Sequence, residues 1–466
     1  MSSNEIKIYP LKNLSPELIA VTFAKCSRSE KSFDEIAKEL TEEKSAEFHD
    51  KWVVGYGHSS VAEHAFLNIA IENVSLVAVE AIQANRLASY TEKSSRYQIY
   101  NKDRIFIPEE FNQDQRIREI YLKATEKLFE VYNNSMEPVQ KIIYQLYPNA
   151  ENEPDLIWKA KIKSKWVDVC RFLLPNCVLA NLGMSANART WEYAITKWLS
   201  SPLAEVRQIG EECKKVAMTI TPTLVKYAEF NNYYKETNDY IDNLSSKLNL
   251  NLDKPKFNNE SQLEVELIDY DKDAEDKILA ALLYRNNSIS YAKALEQTKK
   301  ISNEAKEKIF DEMLSKAKTY EKPPRELEYI YYTFDVLLDQ GAYYDLKRNR
   351  IMTQTPQSLN FDHGYFIPEI IKEANLEKEY NEAQNSASQA YIEISAKFPS
   401  LAQYITTKAS ARRFLLKMNL REAFYFIGLR SKKSGHFMYR KVAQMMYDKI
   451  EEVHPMLAKY IKVDKM

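Results

Sequence analysis

The spacing of apolar and polar positions divides the chain into two helix-rich stretches with a polar interval between them. Residues 15–29 open with Ser15-Pro16, an N-cap followed by a first-turn proline, and predict a helix. Residues 32–53 carry apolar positions at helical spacing with charges between them and predict one more. The run HAFLNIAIENVS, residues 64–75, alternates instead and predicts a strand. Helical spacing returns over 76–89, over a long stretch from about Gln113 to Tyr147, and over 187–199 and 203–220, which flank Pro202. Between about Tyr234 and Glu275, Asn, Asp, Lys and Ser dominate and predict a linker.

Beyond that interval the order recurs. ELEYIYYTFDVLL, residues 326–338, predicts a strand and is followed by GAYYDLKRNRIMT. Residues 419–457 echo residues 187–224: Asn-x-Arg, an aromatic helix, a short break, then an Arg-bearing helix ending near a proline. Repeated element order points to internal duplication followed by divergence, against a chance likeness of helix pairs. The resulting division is 1–235, a linker at 236–275, and 276–466.

Length agrees with this, since 466 residues exceed what one core usually supports. Basic and acidic residues nearly cancel, at a net charge of -1, which gives no support for a nucleic-acid surface. Cys26, Cys170, Cys177 and Cys213 show no CxxC spacing, so neither a metal site nor a disulfide framework is expected. The N-terminus lacks an apolar signal core, and no run approaches the ~18 apolar residues of a membrane span. A soluble cytoplasmic protein is expected. Only 8 glycines are present and no GxGxxG or GxxxxGK[ST] occurs, so a bound phosphate must rely on side chains and helix termini.

Three clusters in the first half carry candidate chemistry. Gly57-His58-Ser59-Ser60-Val61-Ala62-Glu63-His64 holds two histidines that do not share a helix face as an i, i+4 metal pair would. Alone, they read as structural. Asn85-Arg86-Leu87-Ala88-Ser89-Tyr90-Thr91-Glu92-Lys93-Ser94-Ser95-Arg96-Tyr97 interleaves serine and arginine. Such a segment can wrap an anion, because hydroxyls donate and guanidinium forks bind oxygen pairs; a plain polar loop is the alternative. Arg171 sits inside the apolar stretch VDVCRFLLP, and Asn187-Ala188-Arg189 follows. A charge in such a stretch must be paired, contact a ligand, or turn to the surface.

In this order and spacing the clusters resemble the flavin-dependent thymidylate synthases (ThyX). That family's signature, RHRxxSxxxxSxR, is preceded by GHxSxxEH and followed by RxxLP and NxR. Gly57-His58, Ser60 and Glu63-His64 match the upstream element. Arg86, Ser89, Ser94 and Arg96 match the signature, with Tyr90, Glu92 and Tyr97 as common fillers. Arg171 with Leu174-Pro175, then Asn187 and Arg189, match the rest. Ala84 and Asn85 replace the first Arg and the His, and Trp198 stands where the family has an arginine acting on the uracil.

The second half resembles the same signature with different losses. Asp345-Leu346-Lys347-Arg348-Asn349-Arg350-Ile351-Met352-Thr353 keeps both arginines and again has Asn for His. Ser358 falls at the later serine, Asn360 replaces the final arginine, Pro356 stands for Glu92 and Gln403 for Arg171. Counting back in register sets Lys322 and Glu328 at the places of His58 and His64. Asn419, Arg421 and Arg430 are present, with Arg430 at the uracil-acting position.

The resemblance implies nucleotide sites shared between subunits of a tetramer, one giving the first signature arginine and the uracil-acting arginine, its neighbour the Glu-x-Ser-x-Arg segment and the RxxLP arginine. Arg348 and Arg430 with Glu92, Ser94, Arg96 and Arg171 make one nearly complete composite. The reciprocal set, Ala84 and Trp198 with Asn360 and Gln403, has lost every arginine.

The implied fold is α+β, two halves that are each a helical bundle with a small antiparallel sheet, forming an intrachain pseudo-dimer. The implied activity is reductive methylation of dUMP to dTMP by FAD, with NADPH and methylene-tetrahydrofolate as co-substrates, in a homodimer equivalent to the family tetramer. Arg430 would be catalytic, and Glu92, Ser94, Arg96, Arg171, Asp345 and Arg348 would bind the nucleotide. His58, Ser60, Arg86, Glu92, Asn187, Arg189, Arg348, Arg350, Asn419 and Arg421 would contact the flavin. Cys170 is read as core, not as a nucleophile. A related flavin and folate enzyme acting on another pyrimidine nucleotide, or a non-catalytic nucleotide- or flavin-binding protein, are the alternatives.

Overall fold

The alternating run after His64 forms β1, Phe66–Ser75, with Leu67, Ile69 and Ile71 turned into the core. It pairs antiparallel with β3, Leu179–Asn187, which also pairs with β2, Ala88–Glu92, giving the order β1-β3-β2. The second sheet joins β4 (Glu264–Tyr270), β5 (Tyr331–Asp339), β6 (Thr353–Pro356) and β7 (Ala411–Asn419) in the order β4-β5-β7-β6. Without β4 the two sheets share one order; the helix Asp155–Cys170 before β3 has no counterpart before β7. This computed structural model describes residues 6–49, 59–150, 153–248, 250, 260–318 and 321–465.

Several expectations change. β4 lies inside the stretch read as a linker, where it pairs with β5 along one edge of the second sheet. The polar interval also begins with a helix, Asn232–Asp242. The single helix expected over 32–53 is two among the described residues, Phe33–Lys38 and Glu42–Phe48, because Thr41 caps a new start by accepting from the Lys44 N–H. The helix after β1 ends at Ile82, short of Ser89, where Asn85 folds back on the Ile82 carbonyl. The expected long helix is Gln115–Leu146.

β1 contains a bulge, with Ile71 opposite Leu182 and Val74 opposite Ala180, and Asn73 in the left-handed region at φ 60°. β5 pairs with β7 without a shift. Upstream of the strands the register between halves therefore moves by one residue. Glu328 corresponds to Glu63, not to His64 as counted from the sequence alone.

The halves meet through equivalent positions. Pro175 forms a β-bridge with Thr407. Beside it the Asn176 N–H donates to the Thr406 carbonyl (2.7 Å) and the Lys408 N–H to the Leu174 carbonyl (3.0 Å). These residues stand at matching distances before Asn187 and Asn419, so the two bonds form a reciprocal pair between equivalent positions. Arg86 donates to Thr353 Oγ1 (3.0 Å), and its counterpart Arg350 donates to the Arg86 carbonyl (3.1 Å). The helix Gln115–Leu146 packs on the helix Glu377–Ser395, whose small buried residues Ala383, Ala387 and Ala390 admit close approach. One buried apolar core runs through both halves.

Candidate functional site

At the contact between halves the structure brings Arg96, Arg171 and Arg348 around two carboxylates, Asp168 and Asp345. Arg171 ends the helix Asp155–Cys170 and is 2% exposed. A guanidinium at that depth needs partners. It reaches Asp168 of its own half at 3.4 Å and Asp345 of the other at 4.0 Å. Arg348, half-exposed, approaches the same Asp345 at 3.9 Å. Arg96 grips Asp168 with Nε and Nη2, at 2.9 and 2.7 Å. Burial opposes the Arg96 charge, but the Asp168 bonds outweigh it and raise its pKa above the ordinary value, with Tyr439 and Asp345 contributing. Arg430 ends the helix Leu420–Arg430 and lies over the Tyr439 ring, 5.3 Å from its centre. Residues from both halves thus face one another, with Asp345 linking Arg171 to Arg348 and Tyr439 linking Arg430 to Arg96.

Several buried donors here have no hydrogen-bond partner in the protein: Nε and Nη2 of Arg171, which have only the longer ion-pair contacts to Asp168 and Asp345, Nε of Arg430, Nζ of Lys347 and Nε2 of His436. Unpaired buried donors are rare and costly in native folds. Four of these five belong to cationic side chains, and such a set suits an anionic ligand bearing several oxygens. His436 caps the helix Phe437–Val453 through Nδ1, which leaves its proton on Nε2. The ring stacks on Phe172 from the other half, and burial followed by Arg171 and Arg96 holds its pKa well below the usual histidine value.

Other sequence-predicted residues take varied places. Ser94 Oγ accepts from the Arg96 N–H, which fixes the turn (3.2 Å), while Ser95 accepts from Arg171 Nη1 (3.2 Å) and from Lys408 Nζ (2.8 Å). Glu92 accepts from Gln83 (2.9 Å). Arg189 pairs with Glu63, and its counterpart Arg421 pairs with Glu328 at 2.8 Å. Asn187 and Asn419 cap equivalent helices by accepting from the N–H groups of Thr190 and Glu422. The asparagines in the signature's His place do the same work as each other: Asn85 donates to the Ile82 carbonyl (3.0 Å) and Asn349 to the Leu346 carbonyl (2.9 Å). Ser60 is exposed beside a cavity of about 490 Å³ lined by Phe23, Lys25, Ser27, Ser29, Lys31, Phe48 and His64, among others. His58 lies outside the described residues.

Sequence reasoning missed Asp168, Lys347, Lys408 and His436. Asp168 and Arg171, one helical turn apart, were a legible pair. Lys347 sat inside the quoted signature. Lys408 and His436 carried no local signal, because only the meeting of halves brings them in. Cys170 is wholly buried, and burial pushes its thiol up to about 12. It is part of the core, as read.

The reciprocal set divides: Trp198 is core, Asn360 and Gln403 are half-buried, and Ala84 is exposed. Trp198 is 1% exposed, donates to the Ala81 carbonyl (3.4 Å) and meets Trp191 edge-on at 6.0 Å. Gly210 admits it, since a Cβ there would stand 3.1 Å from the Trp198 Cβ. Gln403 donates to the Ser400 carbonyl and Asn360 accepts from the Asp362 N–H, both local turn bonds.

The pattern of the family described as thymidylate synthase complementing protein matches residues 11–223 and 266–456. A UPF0159 protein of Chlamydia muridarum is 31% identical, covering 98% of this chain and 91% of that protein. A flavin-dependent thymidylate synthase of Clostridium tetani is 27% identical, covering 46% of this chain and 82% of that protein. Among solved structures, a UMP/dUMP methylase, PolB, from Streptomyces cacaoi bound with 5-Br dUMP covers 43% of this chain and 95% of that chain, at 13% identity and a TM-score of 0.36.

Proposed function

The chain belongs to the thymidylate synthase complementing protein family, and from that premise we propose that it is a flavin-dependent thymidylate synthase with one working nucleotide site per chain, built between its two halves. The observation that carries this reading is the Asp345 link between Arg171 and Arg348, beside buried donors that make no hydrogen bond within the protein. The halves act as an intrachain pseudo-dimer, derived from duplication. Two chains then correspond to the family tetramer, acting in the cytoplasm.

In this reading Arg96 and Arg171 hold the phosphate of dUMP by charge-assisted bonds, each contributing about 1.5–3 kcal/mol. Arg348 lies between nucleotide and flavin. Arg430, whose Nε lacks a partner, faces the N3/O2 edge of the uracil and stabilises negative charge there, which polarises the C5–C6 bond. Glu92 and Asp345 orient these cations and the base. Stacking of Arg430 on Tyr439 fixes its plane.

The donor set beside Ser60 suits a flavin adenine dinucleotide. The cavity combines the lysines Lys25 and Lys31 and three serine hydroxyls, which suit a diphosphate, with Phe23, Phe48 and Val61, which suit a ring. When bound, FAD supplies the redox chemistry, with methylene-tetrahydrofolate as carbon donor and NADPH as reductant. Because Asn85 and Asn349 are bound to backbone carbonyls, neither supplies the ring that histidine brings in the family signature. Ser60, Arg86, Asn187, Arg189, Arg350, Asn419 and Arg421 remain the proposed flavin contacts.

The test is conversion of dUMP to dTMP with methylene-tetrahydrofolate, NADPH and FAD, followed in the wild type and in Arg430→Ala. Turnover in the wild type that is lost in the variant supports the reading. A protein that binds FAD but yields no dTMP overturns it and leaves the alternatives, a flavin and folate enzyme acting on another pyrimidine nucleotide or a non-catalytic binding protein.

A further inference from the structure

Lys408 stands out within the composite. It is 2% exposed, and its Nζ donates to Ser95 Oγ across the two halves at 2.8 Å. Ser95 also accepts from Arg171, so its own hydroxyl proton remains free to donate. The backbone of Lys408 is clamped on both sides: its N–H donates to the Leu174 carbonyl (3.0 Å), and its carbonyl accepts from the Gly341 N–H (2.9 Å). A Cβ on Gly341 would stand 3.1 Å from Asp339 Oδ1 and 3.3 Å from the Lys408 Cβ, so the two segments approach closely here. The ammonium is thereby held in place where Arg171 Nε and Nη2 make no hydrogen bond and have only longer ion-pair contacts, to Asp168 (3.4 Å) and Asp345 (4.0 Å).

Its counterpart makes the asymmetry plain. The equivalent residue in the first half is Asn176, a neutral side chain that donates to Thr406 Oγ1 (2.9 Å) and accepts from the Tyr344 hydroxyl (3.2 Å). Asparagine is fully satisfied by neighbours in the dismantled composite, whereas lysine is planted in the intact one. Among the described residues no ion pair joins Lys408 to a carboxylate. Arg171, Glu92, Asp345 and Asp168 are the charged groups that face it, and the Tyr344 ring lies 5.2 Å away.

Resting on the nucleotide reading of this site, we propose that Lys408 is a further phosphate-binding residue: its ammonium, the Ser95 hydroxyl and Arg171 form a cradle for the phosphate of a pyrimidine nucleoside monophosphate, and Lys408 makes the site select the phosphorylated over the unphosphorylated nucleoside. Burial first, then Arg171, push Lys408 down to about 7, so without a ligand its surroundings disfavour the charge. An arriving phosphate restores what burial removed. A lysine serving only to offset Asp345 and Glu92 would find its charge favoured before any ligand arrived.

The full-length protein is titrated by calorimetry with dUMP, deoxyuridine and inorganic phosphate, in the wild type and in Lys408→Met. The expected result is a loss of about 10-fold to 100-fold in affinity for dUMP and for phosphate, the range of one charge-assisted bond, with deoxyuridine unchanged. Lys408→Arg, which keeps the charge, recovers part of the loss, and Ser95→Ala weakens dUMP in the same direction. If Lys408→Met does not fold, Ser95→Ala decides alone, by whether its loss is confined to the phosphorylated ligands. dUMP bound equally by wild type and Lys408→Met overturns the cradle while keeping the nucleotide reading. Phosphate bound through Lys408 without any affinity for dUMP keeps the cradle and overturns the nucleotide reading. Equal losses for dUMP and deoxyuridine assign Lys408 to the framework and overturn the proposal.

Discussion

Arg430 and Trp198 occupy the same place at the ends of equivalent helices, and they keep opposite company. Arg430 lies over one phenol ring with a buried donor unpaired. Trp198 is packed by Trp191 and Gly210, with its indole N–H bonded to a carbonyl. The same contrast runs through the rest of each set: Arg96 and Arg171 meet buried carboxylates, while Asn360 and Gln403 make local turn bonds. A site kept for a ligand leaves polar groups waiting. At Trp198 the corresponding place is filled with side chains and is core.

The sharpest way to break the comparison is to truncate both ends. Arg430→Ala should lower single-turnover methylation about 10²–10³-fold, the scale of removing one electrostatic donor, with little change in melting temperature. Trp198→Ala should do the reverse, costing about 3–5 kcal/mol in stability, as for other large-to-small core changes, while leaving the chemical step intact below its lowered melting point. Chemistry lost through Trp198 with Arg430 silent would show that the wrong composite is alive.

A second pair sharpens it. Arg96→Ala leaves Asp168 buried with its main partner gone, and denaturant unfolding should register about 3–5 kcal/mol, the usual cost of breaking such a pair. Asn360→Ala removes one turn bond and should cost about 0.5–1.5 kcal/mol. Similar losses at both positions would erase the distinction between the two sets.

The pH profile gives a smaller effect. Lys408 titrates near 7 in the folded chain, below the ordinary lysine value of 10.5. Between those values the unfolded chain binds more protons, so stability rises with pH across this window. The penalty is full below about 7 and gone above about 10.5. Lys408→Met removes it, so the variant should equal or exceed the wild type in melting temperature at pH 6, and the two curves should converge towards pH 10. Lys347, brought down to about 8 by burial against the pull of Glu80 and Glu92, adds slope in the same direction to both proteins.

The smallest effect belongs to a feature the halves share. Arg189 with Glu63 and Arg421 with Glu328 are partly exposed ion pairs, and alanine at either arginine should cost about 0–1 kcal/mol. Flavin absorbance of the purified variants then tells whether both pairs matter for the cofactor. A loss confined to one of them would extend the asymmetry of the nucleotide site to the flavin side.

Much of this was legible along the chain. Alternation marked β1, a strand was expected at β5, the Ser15-Pro16 pair marked the first helix, and the repeated Asn-x-Arg element marked equivalent positions. The errors have local causes. One bulged residue in β1 displaced the upstream count, so Glu328 was matched to His64 and not to its true equivalent Glu63. The polar composition around β4 hid a strand whose partner, β5, lies on the far side of three helices in sequence. Ser95 was passed over for Ser94, since only the fold shows which hydroxyl turns towards Arg171.

The sequence by itself determined which residue types survive in each half, because a missing arginine is missing whatever the fold. It also determined most elements, since periodicity and caps act over a few residues. The tertiary structure decided what those survivors face. Asp345 lies between Arg171 and Arg348, and Lys408 reaches Ser95, because the two halves meet at the bridge between Pro175 and Thr407. Contacts between groups so distant along the chain depend on packing of the whole core, and no local pattern records them.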